Sequence, residues 1–579
     1  MRRFSFAVPV LCAALAAALL PEPAQSAHDG PTLSAALAAI AQYAPAAMRN
    51  QGTPGLAVAI TDRTRTLRVL TLGYANVDAR APVTARTRFA VGSITKSMTA
   101  LALLEQHDAG QIDLNEPVQR YLPWFSIDSG GAPILVHQLL SHTAGLPDDY
   151  AAEMGYVYDI VALRAAKTLF TPGTSWSYSN DGYGVAGAIV ARQDGRAWPD
   201  ALRDRVLLPI GMTHSVPAFT PAFMASTAVG YQFRDNDRPP PVRPALVASP
   251  PMDFVDPAGS VLSTPEDMAA YMRFYLNGGK TSSGTQLIAP ATFAAMTSPD
   301  RLTNGRPAGS PGVVLPEAPA FYKQYGYGLA VFDDGGDRLV GHTGGISGYT
   351  ACMQMNLTRG FGVIAFANLV EAPLHPCAIV LYAMRALRAQ SLGQPIPAPP
   401  AALDPAHVER PSDYAGTYTA PSGALLQVLA TRDRLVLIDG GKRIALYPRD
   451  SDRFWADDPN YAMFLLAFGR AQDGSVVEMN YGSQWFPNER YRGARSFTYP
   501  SEWPALAGRY ENVFFGSPAI TRVVIVKNRL TLDGVDVLKP LGNDEFALGT
   551  SLVRFEDYDG NQPQRLRIDE SSLYRIELP

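Results

Sequence analysis

Three cysteines and eight histidines in 579 residues, with no Cys-x-x-Cys or His-Glu-x-x-His pairing among them, leave nothing with the spacing of a structural or catalytic metal site. Runs of like charge are missing too. Lys plus Arg number 49 against 53 Asp plus Glu, a net charge of −4. Neither a nucleic-acid surface nor a charged interaction tail is written into that balance. Beyond the N-terminus no apolar stretch approaches the roughly 20 residues that span a bilayer. The absence of Gly-x-Ser-x-Gly argues against the nucleophile elbow of an α/β-hydrolase. What remains is ordinary globular composition, 47% hydrophobic and 18% charged. The chain is long enough for about two to four separate cores.

Residues 1–27 read MRRFSFAVPVLCAALAAALLPEPAQSA. Arg2 and Arg3 precede an apolar run from Val8 to Leu20, and Ala24 and Ser26 supply a small-residue cleavage pattern, so a signal peptide cut near Ser26 or Ala27 is expected. The run of about 13 residues is too short for an anchor, and Leu11 before Cys12 does not suit lipid attachment. The expectation is an exported protein, periplasmic or secreted. Export leaves Cys352 and Cys377 in an oxidising compartment, as a disulfide or as two buried thiols.

From residue 28 to 392 helical and strand patterns mix. GLAVAI (Gly55 to Ile60) and LRVLTLGYA (Leu67 to Ala75) read as strands, as do GYTACMQMN (Gly348 to Asn356) and FGVIAFAN (Phe361 to Asn368). Ser93 to Ala109 and His375 to Gln390 read as helices, and Thr264-Pro265-Glu266-Asp267 starts another with a cap and Pro at its first position. Strands at both ends with helices between predict one α/β domain whose sheet needs both ends of the segment. A Pro-rich linker follows (393–410), then two stretches of short strands (411–500 and 501–579) that repeat each other. DYAGTY answers ALAGRY, DRLVL answers NRLTL, and LYPRDSDRF answers LKPLGNDEF, at offsets of about 92 to 96 residues. They predict two copies of one antiparallel β module, each a small barrel.

Three stretches carry chemistry. In VGSITKSMTA, Ser93 and Lys96 stand three apart, one turn along a helix face. The helix start offers N–H groups and a positive dipole end to an oxyanion, and that dipole end helps a nearby lysine stay neutral as a base. The plain alternative is a capping serine and a solvated lysine. In WSYSNDGYG, Tyr178 offers a phenol for proton relay and Asn180 an amide for a substrate carbonyl; the alternative is an aromatic anchor and a turn residue. In LVGHTGGISGY, the glycines around His342-Thr343-Gly344-Gly345 permit close backbone approach, as an edge strand receiving an extended substrate requires. Gly345 N–H then becomes a second oxyanion donor beside that of Ser93. The alternative is a glycine-rich turn.

Taken together with LLSHTAGLPD and AGSVLSTPEDMAAYM, these motifs resemble, in order and spacing, the serine β-lactamase-like hydrolases. That superfamily includes penicillin-binding proteins, class C β-lactamases, esterases and D-aminopeptidases. The resemblance covers about residues 32 to 392. It implies an antiparallel sheet flanked by helices with a helical lobe completing a cleft, and no cofactor. It implies Ser93 as nucleophile, Lys96 as base, Tyr178 as its partner, Asn180 and the 342–345 segment as substrate and oxyanion groups, and His142 as structural. One position departs from the pattern: His342 stands where the β-lactamases and penicillin-binding proteins commonly carry lysine. An unperturbed histidine is mostly neutral at pH 7, so a carboxylate-bearing β-lactam is held less strongly. The two appended β modules resemble the three-domain plan of D-aminopeptidases.

The leading expectation is an acyl-enzyme hydrolase of peptides or small esters and amides, D-aminopeptidase-like or esterase-like. A D,D-carboxypeptidase or β-lactamase is the alternative. A non-catalytic peptide-binding or sensor protein is the third, and it would not need Ser93, Lys96, Tyr178 and Asn180 together. Oligomeric state is not readable from the sequence.

Overall fold

A computed structural model describes residues 33–148, 155–234, 245–250, 252–309, 322–370, 375–401, 404–450, 452–514, 517–542, 544–549, 551–568 and 571–576. The expected signal peptide lies outside them.

Seven strands form the central sheet: β1 (Gly55–Asp62), β2 (Thr66–Asn76), β3 (Ala81–Pro82), β4 (Ala330–Asp334), β5 (Asp337–Ile346), β6 (Tyr349–Asn356) and β7 (Phe361–Ala367). Their order is β3-β2-β1-β7-β6-β5-β4, and every neighbouring pair is antiparallel. The seam joins the two ends of the domain: β1 pairs β7 from Leu56↔Ala367 to Asp62↔Phe361. The sheet therefore does require both ends of the segment. Alternation assigns the faces, because successive side chains point to opposite sides. Leu56, Val58 and Ile60 enter one core with the N-terminal helix Ser34–Asn50 and the closing helix His375–Ser391. Ala57 and Ala59 enter the other, with the helical lobe. Cys352 and Cys377 form a disulfide, Cα atoms 5.1 Å apart, tying the closing helix to β6.

The helix after VGSI begins at Thr95, not Ser93; Gly92–Ile94 is a 3-10 turn. Gly92 sits at φ +53°, a left-handed conformation that no α-helix accommodates and that favours glycine. Helix Pro265–Leu276 starts as expected, Thr264 Oγ1 accepting from Asp267 N at 3.2 Å.

Both C-terminal segments are rolled antiparallel sheets. In the first, eight strands from Gly416–Thr419 to Gln484–Pro487 follow one another as a meander, and a Tyr418–Asn488 bridge brings its ends together. In the second, the first strand (Gly508–Phe514) pairs the last (Ser571–Ile576). Its break falls between Asp536–Val537 and Lys539–Gly542, where the first module runs one strand, Lys442–Asp450. One residue separates those two edges, so the sheet closes on itself nearly completely.

Candidate active site

Helix Thr95–Asp108 presents Lys96 at its first turn, and the 3-10 turn before it presents Ser93. Ser93 is half-buried and reachable, whereas Lys96 is fully buried. Lys96 Nζ lies 3.1 Å from Ser93 Oγ, 2.5 Å from Asn180 Oδ1 and 3.0 Å from the Ala258 carbonyl oxygen. It also sits 4.8 Å from the centroid of the Tyr178 ring. Asn180 opens helix Asn180–Asp194, capped by Ser179 Oγ accepting from Gly182 N at 3.0 Å. Two helices and one backbone carbonyl thus meet on a single nitrogen.

Burial holds the Tyr178 phenol well above its ordinary value. The nearby Tyr322 and Asp148 push the same way, and a hydrogen bond with the Ser93 hydroxyl opposes them. The phenol is a proton donor at neutral pH, not a phenolate.

Among the described residues, the third motif lies along an open edge. β4 covers β5 only from Gly341 to Asp337, while β6 pairs the other edge out to Ile346. Thr343 N donates to Tyr322 Oη at 3.3 Å, so the N–H groups of Thr343 and, two residues on, Gly345 point away from β6. Gly345 N lies beside the turn that carries Ser93. A Cβ on Gly92 would come 2.7 Å from Gly345 N, and one on Gly344 only 1.9 Å from the Val91 carbonyl oxygen. Glycine is required at both positions because two backbones run in contact there. Gly345 itself is exposed and faces open space.

His342 takes a different place from that of a group facing substrate. It is fully buried, with Nε2 2.8 Å from Tyr325 Oη and Nδ1 2.5 Å from the Thr343 carbonyl oxygen. Burial, reinforced by the positive charge of Lys96, brings its pKa down to about 3. The imidazole is neutral throughout the physiological range and supports Thr343 from behind. His142 is a packing residue: Nδ1 accepts from Ser179 N at 3.1 Å. Its ring lies among Trp176, Tyr178, Tyr183 and Tyr325.

Sequence reasoning missed the carboxylates around this centre. Asp148 is exposed, and its Oδ1 accepts from Asn180 N at 2.7 Å. Partial desolvation of its carboxylate raises the pKa of Asp148, opposed by the Asn180 N–H and by Lys96, and burial raises that of Asp256, opposed by Lys96. Behind Asp256, burial and the Asp256 charge lift Asp159 to about 6. Asp148 lies within LLSHTAGLPD, but a motif does not tell where its last carboxylate points.

A family model for Beta-lactamase matches residues 40–379, more than half of the chain. Penicillin-binding protein 4 of Amycolatopsis lactamdurans is 29% identical over 354 residues, 59% of this chain and 87% of that protein. Penicillin-binding protein 4* of Bacillus subtilis is 26% identical over 413 residues, 66% of this chain and 83% of that one. Among solved structures, the octameric penicillin-binding protein homologue from Pyrococcus abyssi superimposes with a TM-score of 0.54 at 24% identity, covering 78% of this chain and 99% of its own. The chain belongs to the Beta-lactamase family, within the serine β-lactamase and penicillin-binding-protein superfamily of serine hydrolases.

Proposed function

We propose that this protein is an exported hydrolase that cleaves amides or esters through an acyl-enzyme on Ser93. We propose further that it prefers substrates with a free ammonium group, in the manner of a D-aminopeptidase. The observation that carries this preference is the charge around the nucleophile. Asp148 stands exposed beside Asn180, with Asp256 and Asp159 beyond, while the third motif supplies a buried neutral imidazole. Beyond the buried Lys96, whose charge these carboxylates face, the acidic lining attracts a cation and offers a carboxylate little. The disulfide supports export.

The proton path follows from donor counting. The form of Lys96 that acts as a base is the neutral amine, with two N–H groups and one lone pair. Asn180 Oδ1 and the Ala258 carbonyl can only accept, so they take both N–H groups. The lone pair is left facing Ser93 Oγ. Ser93 gives its proton to Lys96 as Oγ attacks the carbonyl carbon, and the developing oxyanion meets the N–H groups of Ser93 and Gly345. Collapse expels the amine or alkoxide, which takes the Tyr178 proton, and Lys96 restores that proton. Water then repeats the sequence on the acyl-enzyme.

The names of the relatives favour a second reading, penicillin binding, which goes with the D,D-carboxypeptidase or β-lactamase alternative. One assay separates the two. The full chain is offered p-nitroanilides of D- and L-amino acids, free and N-acetylated, alongside nitrocefin. Free-amine D-substrates turned over at least about tenfold faster than their acetylated forms support the proposal, a ratio equal to about 1.4 kcal/mol. A preference for nitrocefin, or covalent labelling that persists in Ser93→Ala, overturns it.

A further inference from the structure

Ala258 contributes no side-chain chemistry, yet its carbonyl is one of the groups that aim the lysine lone pair. What holds that carbonyl still is therefore part of the machinery. The turn 256–260 is organised by one carboxylate. Asp256 Oδ1 accepts from Ala258 N at 2.8 Å, the Asx-turn geometry in which a side chain replaces a backbone acceptor. The Asp256 carbonyl accepts from Gly259 N at 3.1 Å and Ser260 N at 3.0 Å. Asp256 N donates to Ser260 Oγ at 2.9 Å, and that hydroxyl donates on to the Pro217 carbonyl at 2.8 Å.

The turn is also clamped between the two helices of the site. Thr99 Oγ1 donates to the Pro257 carbonyl at 2.7 Å, and Val261 N donates to Thr95 Oγ1 at 3.2 Å. Pro257 lies against Gly187 so closely that a Cβ there would come 2.2 Å from its Cγ. These contacts fix the residues on either side of Ala258. The Pro257–Ala258 peptide is held by its N–H on the Asp256 carboxylate, and the Ala258–Gly259 peptide, whose carbonyl meets Lys96, is held by Gly259 N on the Asp256 carbonyl.

We infer that Asp256 is a positioning residue for the reaction: its carboxylate pins the Ala258 nitrogen while its own carbonyl holds the following peptide, and with both sides of Ala258 fixed, the Ala258 carbonyl turns the Lys96 lone pair toward Ser93. The inference rests on the acyl-enzyme reading above. The charged and titratable groups facing Asp256 are Lys96, Asp148, Asp159 and Tyr156. Asp159 Oδ1 is buried without a hydrogen-bond partner, and the Ala258 N–H goes to Asp256 Oδ1.

Two variants of the full chain separate this role from a general structural one. Asp256→Asn keeps an oxygen that can accept from Ala258 N; Asp256→Ala removes it. The measurement is steady-state hydrolysis of p-nitrophenyl acetate, together with the rate of Ser93 labelling by a fluorophosphonate and the melting temperature. Asp256→Ala is expected to lose about 10- to 100-fold in kcat and in labelling rate, the scale of a misaligned reacting group, with KM little changed. Asp256→Asn is expected to keep both rates within about threefold of the parent. Full activity in the alanine variant overturns the inference, as does an asparagine variant that folds but is as slow as the alanine one. If the parent chain is not labelled on Ser93 at all, the acyl-enzyme reading fails first and this role falls with it.

Discussion

His342 allows a prediction whose size follows from its surroundings. Its two ring nitrogens are engaged and the side chain is fully buried, so a proton must enter an apolar enclosure already facing Lys96. The group falls from its ordinary value of 6.5 to about 3. Below pH 6.5 the unfolded chain takes up a proton that the folded chain refuses until about pH 3. The stability this group contributes is therefore complete above pH 6.5 and declines as the pH falls through that window. At pH 5 the loss amounts to about 2 kcal/mol, at 1.36 kcal/mol per pH unit. His342→Gln places a neutral amide where the imidazole was and removes this linkage. The assay is urea unfolding at pH 7.5 and pH 5.0, followed on the near-ultraviolet signal of the catalytic domain. The variant's loss between the two pH values should be smaller than the parent's by about 2 kcal/mol. Equal losses would refute the claim that His342 is held neutral by burial.

Two further predictions test other parts of the molecule. Gly344→Ala places a methyl group 1.9 Å from the Val91 carbonyl oxygen, whereas Gly345→Ala meets open space; fluorophosphonate labelling should fall by about 100-fold in the first and the melting temperature should stay at the parent's value in the second, and a fully active Gly344→Ala contradicts the close packing of the two backbones. Ending the chain after Ala401 keeps Ile396 packed on the closing core and removes both β modules; turnover of free-amine anilides should drop more than that of p-nitrophenyl acetate, and an unchanged ratio would make the modules spacers.

How much of this site the sequence revealed depends on the kind of information each group carries. Ser93 and Lys96 are three residues apart, and Tyr178 and Asn180 two, so spacing keeps each pair close, while their joint role came from the resemblance carried by the ordered motifs. Gly344 was legible as a close approach because only glycine tolerates one; Gly345 beside it faces open space instead. The helix start was misplaced by two residues, since Gly92 reads as an ordinary small residue until its φ of +53° is known. Ala258 lies 162 residues from Lys96 and acts through a carbonyl that every residue possesses, so no residue type could announce it. The neutrality of His342 was anticipated from its chemistry. Its burial was not, because Tyr322 and Tyr325 enclose it and each is an unremarked aromatic in the sequence. The carboxylates were invisible for a related reason: the charge of a cleft is a property of the fold, not of any one segment.

The β modules were legible because the positions that repeat are the ones a small barrel cannot do without. Tyr418 Oη donates to the Tyr414 carbonyl at 2.7 Å, and Tyr510 Oη donates to the Leu506 carbonyl at 2.8 Å. Each tyrosine is fully buried and ties the first strand to the turn before it. Phe454 and Phe546 fill matching core places. Arg432 and Lys527 take left-handed φ at the tips of matching hairpins. The copies diverge where those hairpins grip. In the first module Asp433 O accepts from Val408 N at 2.9 Å and Arg434 pairs with Asp404, so the hairpin holds the linker. In the second, Lys527 pairs with Glu478 at 2.7 Å and lies 4.9 Å from the Tyr491 ring and 5.7 Å from that of Trp485. One hairpin, duplicated, clasps whatever precedes it in the chain. The second module is thereby fastened to the first, in an arrangement that favours charge and aromatic contact over exposed apolar area. The first module in turn holds the linker, whose Ile396 is packed against the core that contains the closing helix.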